Sequence, residues 1–446
     1  MRGMKSTLAL LVVLVGLGGY IYFYGDKAAN PGDIQKLFTG LASDNIETLT
    51  VKNDAGETTS LKKQDGKWTM TAPFQTRASD MDASGIANAL AGLDVSRVVD
   101  EAPTDVKDYG LDKPSIEVAF TSTDGKPSGK LLLGTKTATG GSLYARKDGE
   151  TRVVLIGEFN SATFNKSTFD LRDKAIVSFD RSKVDGVDVV QPSGTFELAK
   201  KDGTWALAKP MVARADGTGA DGLVTAVESL QMKSVVAPSA TPDELAKYGL
   251  DKPSSVVNLH LGADRISVAV GAPAGDDTVY AKDVSRPDIF TIQLPAADDL
   301  RKKVEDYRAR DMFDMRAFTA NRIEITRNGK TTAFEKVKAT DANAADVWKK
   351  VSPVAADADK EKFPAFVAAL ADIRAMNFTD AKVRTGLDAP AATIVVKFDD
   401  GKKEDRVQIA KPGTIAYASR ADDTSVATID STKFDEAIAS IDEFTK

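Results

Sequence analysis

Residues 63–73 read KQDGKWTMTAP, and this stretch decides the fold because it recurs along the chain. Residues 200–210 repeat it as KKDGTWALAKP, and residues 348–353 keep its end as WKKVSP. The three tryptophans, Trp68, Trp205 and Trp348, therefore each lie five residues before a proline. The period of roughly 140 residues far exceeds that of solenoid repeats, so the sequence predicts three homologous domains with separate cores.

A Gly-Leu-Asp-x-Pro motif follows each tryptophan and forms the second landmark. Its copies are Gly110 to Pro114, Gly249 to Pro253 and Gly386 to Pro390, with the aspartates Asp112, Asp251 and Asp388. A tyrosine precedes the first two copies, and Thr385 precedes the third. Glycine permits a positive φ, aspartate can accept hydrogen bonds from nearby amides and proline begins the next strand, which predicts a turn. A carboxylate ligand repeated three times is the alternative.

The apolar residues between these landmarks show two periods. The spacing of Ile86, Ala89, Leu90 and Leu93 is that of an amphipathic helix, and it recurs at Leu223, Ala226, Val227 and Leu230 and at Phe366, Ala369, Leu370 and Ile373. Alternation after each Gly-Leu-Asp-x-Pro motif predicts strands, as in Ile116, Val118 and Phe120. We therefore predict an α+β fold with three tandem domains, residues 36–174, 175–311 and 312–446, each a mostly antiparallel sheet with a packed helix. Closing helices are predicted over Glu158–Lys174, Pro295–Asp311 and Ser431–Lys446.

The N-terminal segment predicts where these domains are located. Residues 7–24 contain no charge and are long enough to cross a bilayer as a helix. This predicted anchor includes Thr7, Leu8, Leu11, Val15, Tyr20, Tyr22 and Tyr24. Arg2 and Lys5 precede it, so residues 1–6 are expected in the cytoplasm, residues 25–35 form a linker, and the repeats lie in the periplasm. An uncleaved inner-membrane anchor is favoured over a cleaved signal peptide, because no clear small-residue cleavage site follows.

The composition narrows the chemistry. The net charge is -6 without a basic stripe, which gives no support for nucleic-acid binding. The chain has no cysteine and one histidine, His260, expected to be exposed on a strand where Thr121 and Lys397 occupy the equivalent positions. Residues Asp216 to Asp221 have some character of a calcium loop but lack its ligand order, so a turn that begins a helix is favoured. We predict no catalytic residue, no metal ligand and no cofactor, and hence a protein that is not an enzyme.

These motifs together resemble a bacterial family called domain of unknown function 4340. The likeness depends on the anchor, the Asp65 to Pro73 segment, Val98 to Pro103, the Tyr-Gly-Leu-Asp-Lys-Pro motif and the Tyr-Ala-Arg strand at Tyr144. Members of that family look like envelope proteins that are often encoded beside an ABC-type permease, its ATPase and an auxiliary subunit. The resemblance implies an accessory role in transport and supplies no catalytic residue.

Three functions remain open at this point. The first is a membrane-anchored periplasmic accessory that binds an ABC permease or an auxiliary subunit, with an envelope lipid or glycan as a candidate ligand. The second is an envelope scaffold or a protein that binds the cell wall. The third is a carboxylate-dependent hydrolase, which needs two acidic residues that converge in a cleft.

Overall fold

The computed structural model describes residues 35–123, 126–339, 346–379 and 384–446. The predicted anchor, residues 7–24, lies outside these ranges. Among the helices that the structure describes, none is both long and apolar enough to cross a membrane. The chain divides into two compact units, of which the first ends at Lys174 and the second begins at Ala175. The domain boundaries at residues 36, 175 and 312 stay predictions.

The first unit contains one repeat. Its elements are β1 (Gln35–Lys36), β2 (Ile46–Lys52), β3 (Thr58–Gln64), β4 (Lys67–Ala72), β5 (Thr76–Arg77), α1 (Asp80–Ala91), β6 (Asp94–Val95), β7 (Arg97–Asp100), β8 (Ile116–Ser122), β9 (Gly129–Lys136), β10 (Ser142–Lys147), β11 (Val153–Gly157) and α2 (Asn160–Phe164).

The second unit contains two further repeats. The first of these has β12 (Gly186–Gln191), β13 (Gly194–Lys201), β14 (Thr204–Lys209), β15 (Ala213–Arg214), α3 (Gly217–Glu228), β16 (Ser234–Ala237), α4 (Pro242–Lys247), β17 (Ser255–Leu261), β18 (Asp264–Gly275), β19 (Thr278–Asp283), β20 (Ile289–Gln293) and α5 (Leu294–Asp299). The other has β21 (Ala320–Arg327), β22 (Lys330–Val337), β23 (Val347–Ser352), β24 (Ala356–Asp357), α6 (Lys362–Ala371), β25 (Ala375–Thr379), β26 (Ala392–Phe398), β27 (Lys403–Ala410), β28 (Ala416–Arg420), β29 (Val426–Ile429) and α7 (Ser431–Phe444).

Each repeat is built on one nine-stranded sheet, and the three sheets share one strand order. In the first repeat this order is β5-β4-β3-β2-β8-β9-β10-β11-β7, and the described parts of the other two repeats give the corresponding sequence of strands. Neighbouring strands pair antiparallel, as β2 does with β8 and β12 with β17. The repeated, mostly antiparallel α+β fold that the sequence predicts is therefore confirmed.

Local sequence explains the hairpin between β3 and β4 and its equivalent between β13 and β14. Asp65 and Gly66 both have positive φ, 51° and 78°, and Asp202 and Gly203 have 51° and 79°. Two successive residues with positive φ form the tight turn whose twist matches an antiparallel hairpin, so the predicted hairpins are confirmed. The peptide bonds that precede Pro73, Pro210 and Pro353 are all cis.

A helix then packs on one face of each sheet. Ser79 caps α1 by accepting a hydrogen bond from the amide of Asp82, and Asp216 caps α3 by accepting one from Thr218. The residues that the helices bury are Ala83, Ile86, Ala87 and Leu90; Ala220, Leu223, Val224 and Val227; and Phe363, Phe366, Val367 and Leu370. The predicted stripe is thus confirmed apart from Ala89, Ala226 and Ala369, which lie beside the buried face.

Two of the three predicted closing helices are wrong. Helix α2 ends at Phe164 and α5 at Asp299, whereas α7 extends from Ser431 to Phe444 as predicted. After α2, side-chain carboxylates accept hydrogen bonds from backbone amides that would otherwise bond within a helix. Asp170 accepts from the Ser167 amide at 3.1 Å, and Glu57 accepts from the Thr168 amide at 2.8 Å. Such bonds offer the backbone an alternative to helix and end it early.

Candidate interaction site

The landmark tryptophans are core residues. Trp68, Trp205 and Trp348 are 2%, 4% and 6% exposed. A lysine on the neighbouring strand lies over each ring, with its Nζ 5.8, 5.1 and 5.5 Å from the ring centroid; these are Lys63, Lys200 and Lys336. A buried indole beneath a lysine presents no open face to a ligand, which favours the structural interpretation over a sugar-stacking platform.

The Gly-Leu-Asp-x-Pro motifs form turns at the sheet. Gly110, Gly249 and Gly386 have φ values of 66°, 67° and 72°, which is the conformation that glycine adopts without steric cost. Asp112, Asp251 and Asp388 are exposed, and Pro114, Pro253 and Pro390 are half-buried just before the next strand. Within the described ranges no group of three or more acidic or histidine side chains is placed to hold a metal ion. The turn interpretation accounts for all three copies.

In each of the first two repeats, the tyrosine before the turn packs on the tyrosine of a Tyr-Ala pair later in the same repeat, Tyr144-Ala145 or Tyr280-Ala281. The ring centroids of Tyr109 and Tyr144 are 5.0 Å apart, and those of Tyr248 and Tyr280 are 4.5 Å apart. A Cβ added to Gly271 would lie 2.4 Å from the Tyr248 carbonyl oxygen, so glycine permits this loop to approach the sheet. These two sequence motifs thus form one small apolar cluster on the sheet.

His260 belongs to a polar cluster on the second sheet. It hydrogen-bonds with Asp188, which also accepts from Asn258 Nδ2 at 2.8 Å and from Arg265 Nη2 at 2.9 Å. Burial opposes the charge of Asp188, but His260 and Asn258 outweigh burial and lower its pKa. His260 is half-buried, so the prediction of an exposed histidine is wrong. The cross-strand position of Asp188 explains the difference, because its carboxylate draws the imidazole onto the sheet.

The same cluster does not form a nucleophile-base pair. Ser267 Oγ donates to Asn258 Oδ1 at 2.6 Å, and Asn258 in turn donates to Asp188. The serine and the histidine therefore bond to different members of the network. General-base activation requires a direct hydrogen bond between the nucleophile and the base. The cluster is better explained as a cross-strand polar network.

A buried ionic cluster joins the two repeats of the second unit. Arg420 and Asp405 are 3% and 1% exposed at their side chains, and Arg420 Nη2 lies 2.8 Å from Asp405 Oδ1. Asp405 Oδ2 accepts hydrogen bonds from the amides of Asp314 and Met315, at 2.6 and 3.1 Å. Asp314 also pairs with Arg214 of the preceding repeat. Although burial opposes the charge of Arg420, the surrounding carboxylates raise its pKa.

The Asp216 to Asp221 segment begins a helix, as predicted. Asp216 caps α3, and Asp221 Oδ1 accepts a hydrogen bond from Trp205 Nε1 at 2.9 Å and lies 3.2 Å from Lys200 Nζ. The bond from Trp205 and the nearby lysine lower the pKa of Asp221. Both carboxylates thus have structural partners. The helix-start interpretation accounts for them without a cation.

Two large apolar side chains of the first repeat are almost fully exposed. Met81, at the start of α1, is 82% exposed, and Phe159, just after β11, is 80% exposed. A Cβ added to Gly157 would lie 2.3 Å from Phe159 Cε1, so the ring rests on a bare glycine. In the other two repeats, the strand register gives Pro295 and Thr432 as the equivalents of Phe159. The alignment of the helices gives Thr218 and Glu361 as the equivalents of Met81. Among the three repeats, only the first therefore has a large apolar side chain at both of these positions.

Phe159 lies on the rim of an open cleft of about 730 Å³, which Lys136, Glu158, Ser161, Asn165 and Lys166 help to line. Its charges are paired. Glu158 forms an ion pair with Lys136 and accepts a hydrogen bond from the Gly141 amide at 3.0 Å. The hydrogen bond from Lys136 is the main cause of the lowered pKa of Glu158. Lys166 Nζ lies 3.0 Å from Asp82 Oδ1, next to Met81. We call Phe159, Met81 and this cleft the first-repeat surface.

Sequence reasoning missed the first-repeat surface and the ionic cluster. Met81 offered a signal, because it is a large apolar residue outside the helical stripe of Ile86 and Leu90. Phe159 offered none, since it was assigned to a closing helix in which an apolar residue is ordinary. Arg420 and Asp405 could not be linked to residue 314 without the fold.

Comparison with known proteins identifies the family. Two crystal structures of the DNA polymerase sliding clamp from Pseudomonas aeruginosa, one of them with ligand, are 9% and 8% identical to the chain and cover 89% and 88% of it and 93% of each clamp chain. Their TM-score is 0.17, so this likeness carries no argument. No curated protein matches the chain. The model of a domain of unknown function (DUF4340) matches twice, over residues 68–236 and 205–390. The chain therefore belongs to the DUF4340 family.

Proposed function

We propose that the protein is a non-catalytic accessory of an ABC-type envelope transport system. Residues 7–24 anchor it in the inner membrane, and its repeats bind a permease or an auxiliary subunit on the periplasmic side. The family resemblance motivates the transport system, and the apolar N-terminal segment, which we predict to stay uncleaved, motivates the location. The observation that carries the binding role is the first-repeat surface.

The chemistry of this surface fits a protein partner. Exposure of a phenylalanine and a methionine forgoes roughly 1.5 to 3 kcal/mol of burial for each side chain. Aromatic residues and methionine are enriched where proteins meet, and flexible methionine adapts to a partner's shape. Pairing of Lys136 and Lys166 with carboxylates leaves no basic patch for a polyanion. Two exposed apolar side chains beside neutralised charges suit contact with a folded protein.

The position of the first repeat in the chain favours a membrane-embedded partner. The linker that separates it from the predicted anchor, residues 25–35, spans at most about 40 Å when fully extended. The first repeat therefore remains within that distance of the bilayer, whereas later repeats have no such restraint. A permease or an auxiliary subunit with a short periplasmic loop lies inside that range.

The test is site-specific crosslinking in cells that produce the full-length chain. A photoreactive phenylalanine replaces Phe159, and the matched control carries it at Phe318, which is 76% exposed in the third repeat. We expect crosslinks to a permease or an auxiliary subunit from position 159 and far fewer from position 318. Phe159→Ser should lower co-purification of that partner in detergent by about tenfold or more, since one buried aromatic contributes that much. Phe318→Ser should leave it unchanged.

Two results would count against this function. Crosslinks from both positions to unrelated proteins, with no transport component enriched, would remove the transport role. Sedimentation of the chain with isolated cell-wall material, independent of any transporter, would favour the scaffold instead. Circular dichroism of each variant separates lost binding from lost folding.

A further inference from the structure

A loop of the third repeat contacts the proline corner of the second repeat. The corner is Pro210 to Val212, which follows β14. Thr424 Oγ1 donates to the Val212 carbonyl oxygen at 3.1 Å, and Ser425 Oγ lies 3.9 Å from Met211 Sδ. Both hydroxyls belong to the loop between β28 and β29. One repeat thus offers a corner, and the next repeat offers a loop that contacts it.

The third repeat has the same corner. Pro353 and Val354 follow β23, and the bond before Pro353 is cis like the bond before Pro210. Val354 is 71% exposed, and Val351 on the strand before it is 38% exposed. The corner therefore presents apolar side chains to solvent at the place where the second repeat receives a loop.

The first repeat has a loop of the matching kind. It connects β10 to β11, and strand register aligns Lys147, Glu150 and Thr151 with Arg420, Asp423 and Thr424. These three pairs keep their chemistry, a cation, a carboxylate and a threonine, whereas Ser425 aligns with Arg152. The loop of the second repeat does not, because Asp283, Arg286 and Pro287 occupy these positions. Asp148, Gly149 and Thr151 in the first-repeat loop are exposed.

Charges of both signs are present on the two surfaces. In the second repeat Ala206 pairs across the strands with Arg214, whose guanidinium binds Asp314. In the third repeat the equivalent pair is Lys349 and Asp357, whose charged atoms lie 3.7 Å apart with side chains 48% and 84% exposed. The first-repeat loop likewise carries Glu150 between Lys147 and Arg152. A cation and an anion on each side permit complementary pairing.

From these matches we infer that the third-repeat corner binds the first-repeat loop of a second copy of this chain. The contact extends the corner-to-loop arrangement of the second and third repeats from one molecule to the next. It uses different surfaces on the two copies, so it need not close and can join copies in series. The contact is small, so it depends on copies held at high local concentration. This inference does not depend on the transport role.

The cysteine-free chain makes disulfide trapping a direct test. The full-length chain is produced in a bacterial host with Thr151→Cys and Val354→Cys together, and also with each substitution alone. The positive control is Met211→Cys with Ser425→Cys, which should close within one molecule. The matched negative control pairs Thr151→Cys with Met81→Cys, another exposed apolar position. After mild oxidation, non-reducing electrophoresis shows the products.

We expect the Thr151/Val354 pair to form a ladder of dimers and higher multiples, at least fivefold above the Thr151/Met81 pair. Mixing the two single variants should give a heterodimer and no ladder. A further change, Val351→Asp, should reduce the ladder several-fold while the Met211/Ser425 control still closes. Equal crosslinking in both pairs, or a Thr151–Val354 disulfide that stays within one chain, would overturn the inference.

Discussion

Replacement of Asp405 by alanine tests the ionic cluster that joins the repeats of the second unit. Asp405 is 1% exposed at its side chain and accepts three hydrogen bonds, from Arg420 and from the amides of Asp314 and Met315. Asp405→Ala leaves two backbone donors without their acceptor and leaves Arg420, 3% exposed, with less compensation. Removal of one partner of a buried pair costs about 3 to 5 kcal/mol.

This cost should appear as a fall in melting temperature of about 10 to 15 °C for the transition that includes the third repeat, at roughly 3 °C for each kcal/mol. Hydrogen exchange followed by mass spectrometry should show faster exchange at the amides of Asp314 and Met315. The control is Glu335→Ala, which breaks a half-exposed pair with Arg322 and should change stability by only about 1 kcal/mol or less.

A double variant separates the charge from the packing. Asp405→Leu combined with Arg420→Met replaces the pair with apolar side chains, and such replacements are often neutral, within about 1 kcal/mol, or stabilising. We expect the double variant to recover only the part of the loss that comes from the unpaired Arg420 charge, because the amides of Asp314 and Met315 still lack their acceptor. A cost below about 1 kcal/mol for Asp405→Ala would refute the reasoning. So would a loss of exchange protection confined to residues far from 314.

Three further predictions concern single sites. Gly271→Ala places a Cβ 2.4 Å from a loop carbonyl oxygen, so it should lower the free energy of unfolding by about 1 to 3 kcal/mol. Gly222 lies within a helix, and a Cβ added there meets no atom within 4 Å, so Gly222→Ala should stabilise the protein slightly. Asp221→Ala should cost about 1 to 2 kcal/mol in urea unfolding followed by tryptophan fluorescence, because it leaves the Trp205 indole N–H without its acceptor. Hydrogen bonds from two lysines lower the pKa of Glu117, so its stabilisation exists above the unfolded pKa and is lost as pH falls through the folded pKa. The wild type should therefore exceed Glu117→Gln in stability at pH 7, and the gap should close as the pH falls through the lowered pKa of Glu117.

Each of these has a contrary outcome. Equal melting temperatures for the two alanine variants would show that the Gly271 loop shifts at little cost. Asp221→Asn keeps an acceptor, so a loss as large as that of Asp221→Ala would point to charge rather than the indole bond. A stability gap for Glu117→Gln that stays constant from pH 7 to pH 3 would exclude linkage to this carboxyl.

Local patterns in the sequence predicted much of the fold, because they reflect contacts between residues near in sequence. Asp65-Gly66 specifies a hairpin through its own backbone, and Ile86 with Leu90 specifies a buried helix face through spacing alone. Strands predicted from a clear alternation of apolar and polar residues are present in the structure, as at Ile116 to Phe120. The helix predicted after Glu158 failed because its competitors are side chains such as Glu57, which the fold brings from about a hundred positions away.

The interaction surfaces were beyond such reasoning. Arg420 and Asp405 are 15 positions apart, and their shared partner at residue 314 is about a hundred positions from either. His260 could be assigned to a strand, but Asp188, which holds it, lies 72 positions earlier. Exposure at Phe159 depends on where α2 begins, because Phe159 immediately precedes its first residue, Asn160. Only the folded arrangement shows these relations.

The hydrogen bond from Thr424 to Val212 joins residues 212 positions apart. During synthesis the second repeat therefore emerges, with its corner formed, long before its donor has been made. The hydrogen bond to Val212 can form only after Thr424, near the end of the third repeat, has been synthesised. A polypeptide released or cut before residue 424 would lack the donor to the Val212 carbonyl oxygen and would leave this corner of the second repeat without its cover.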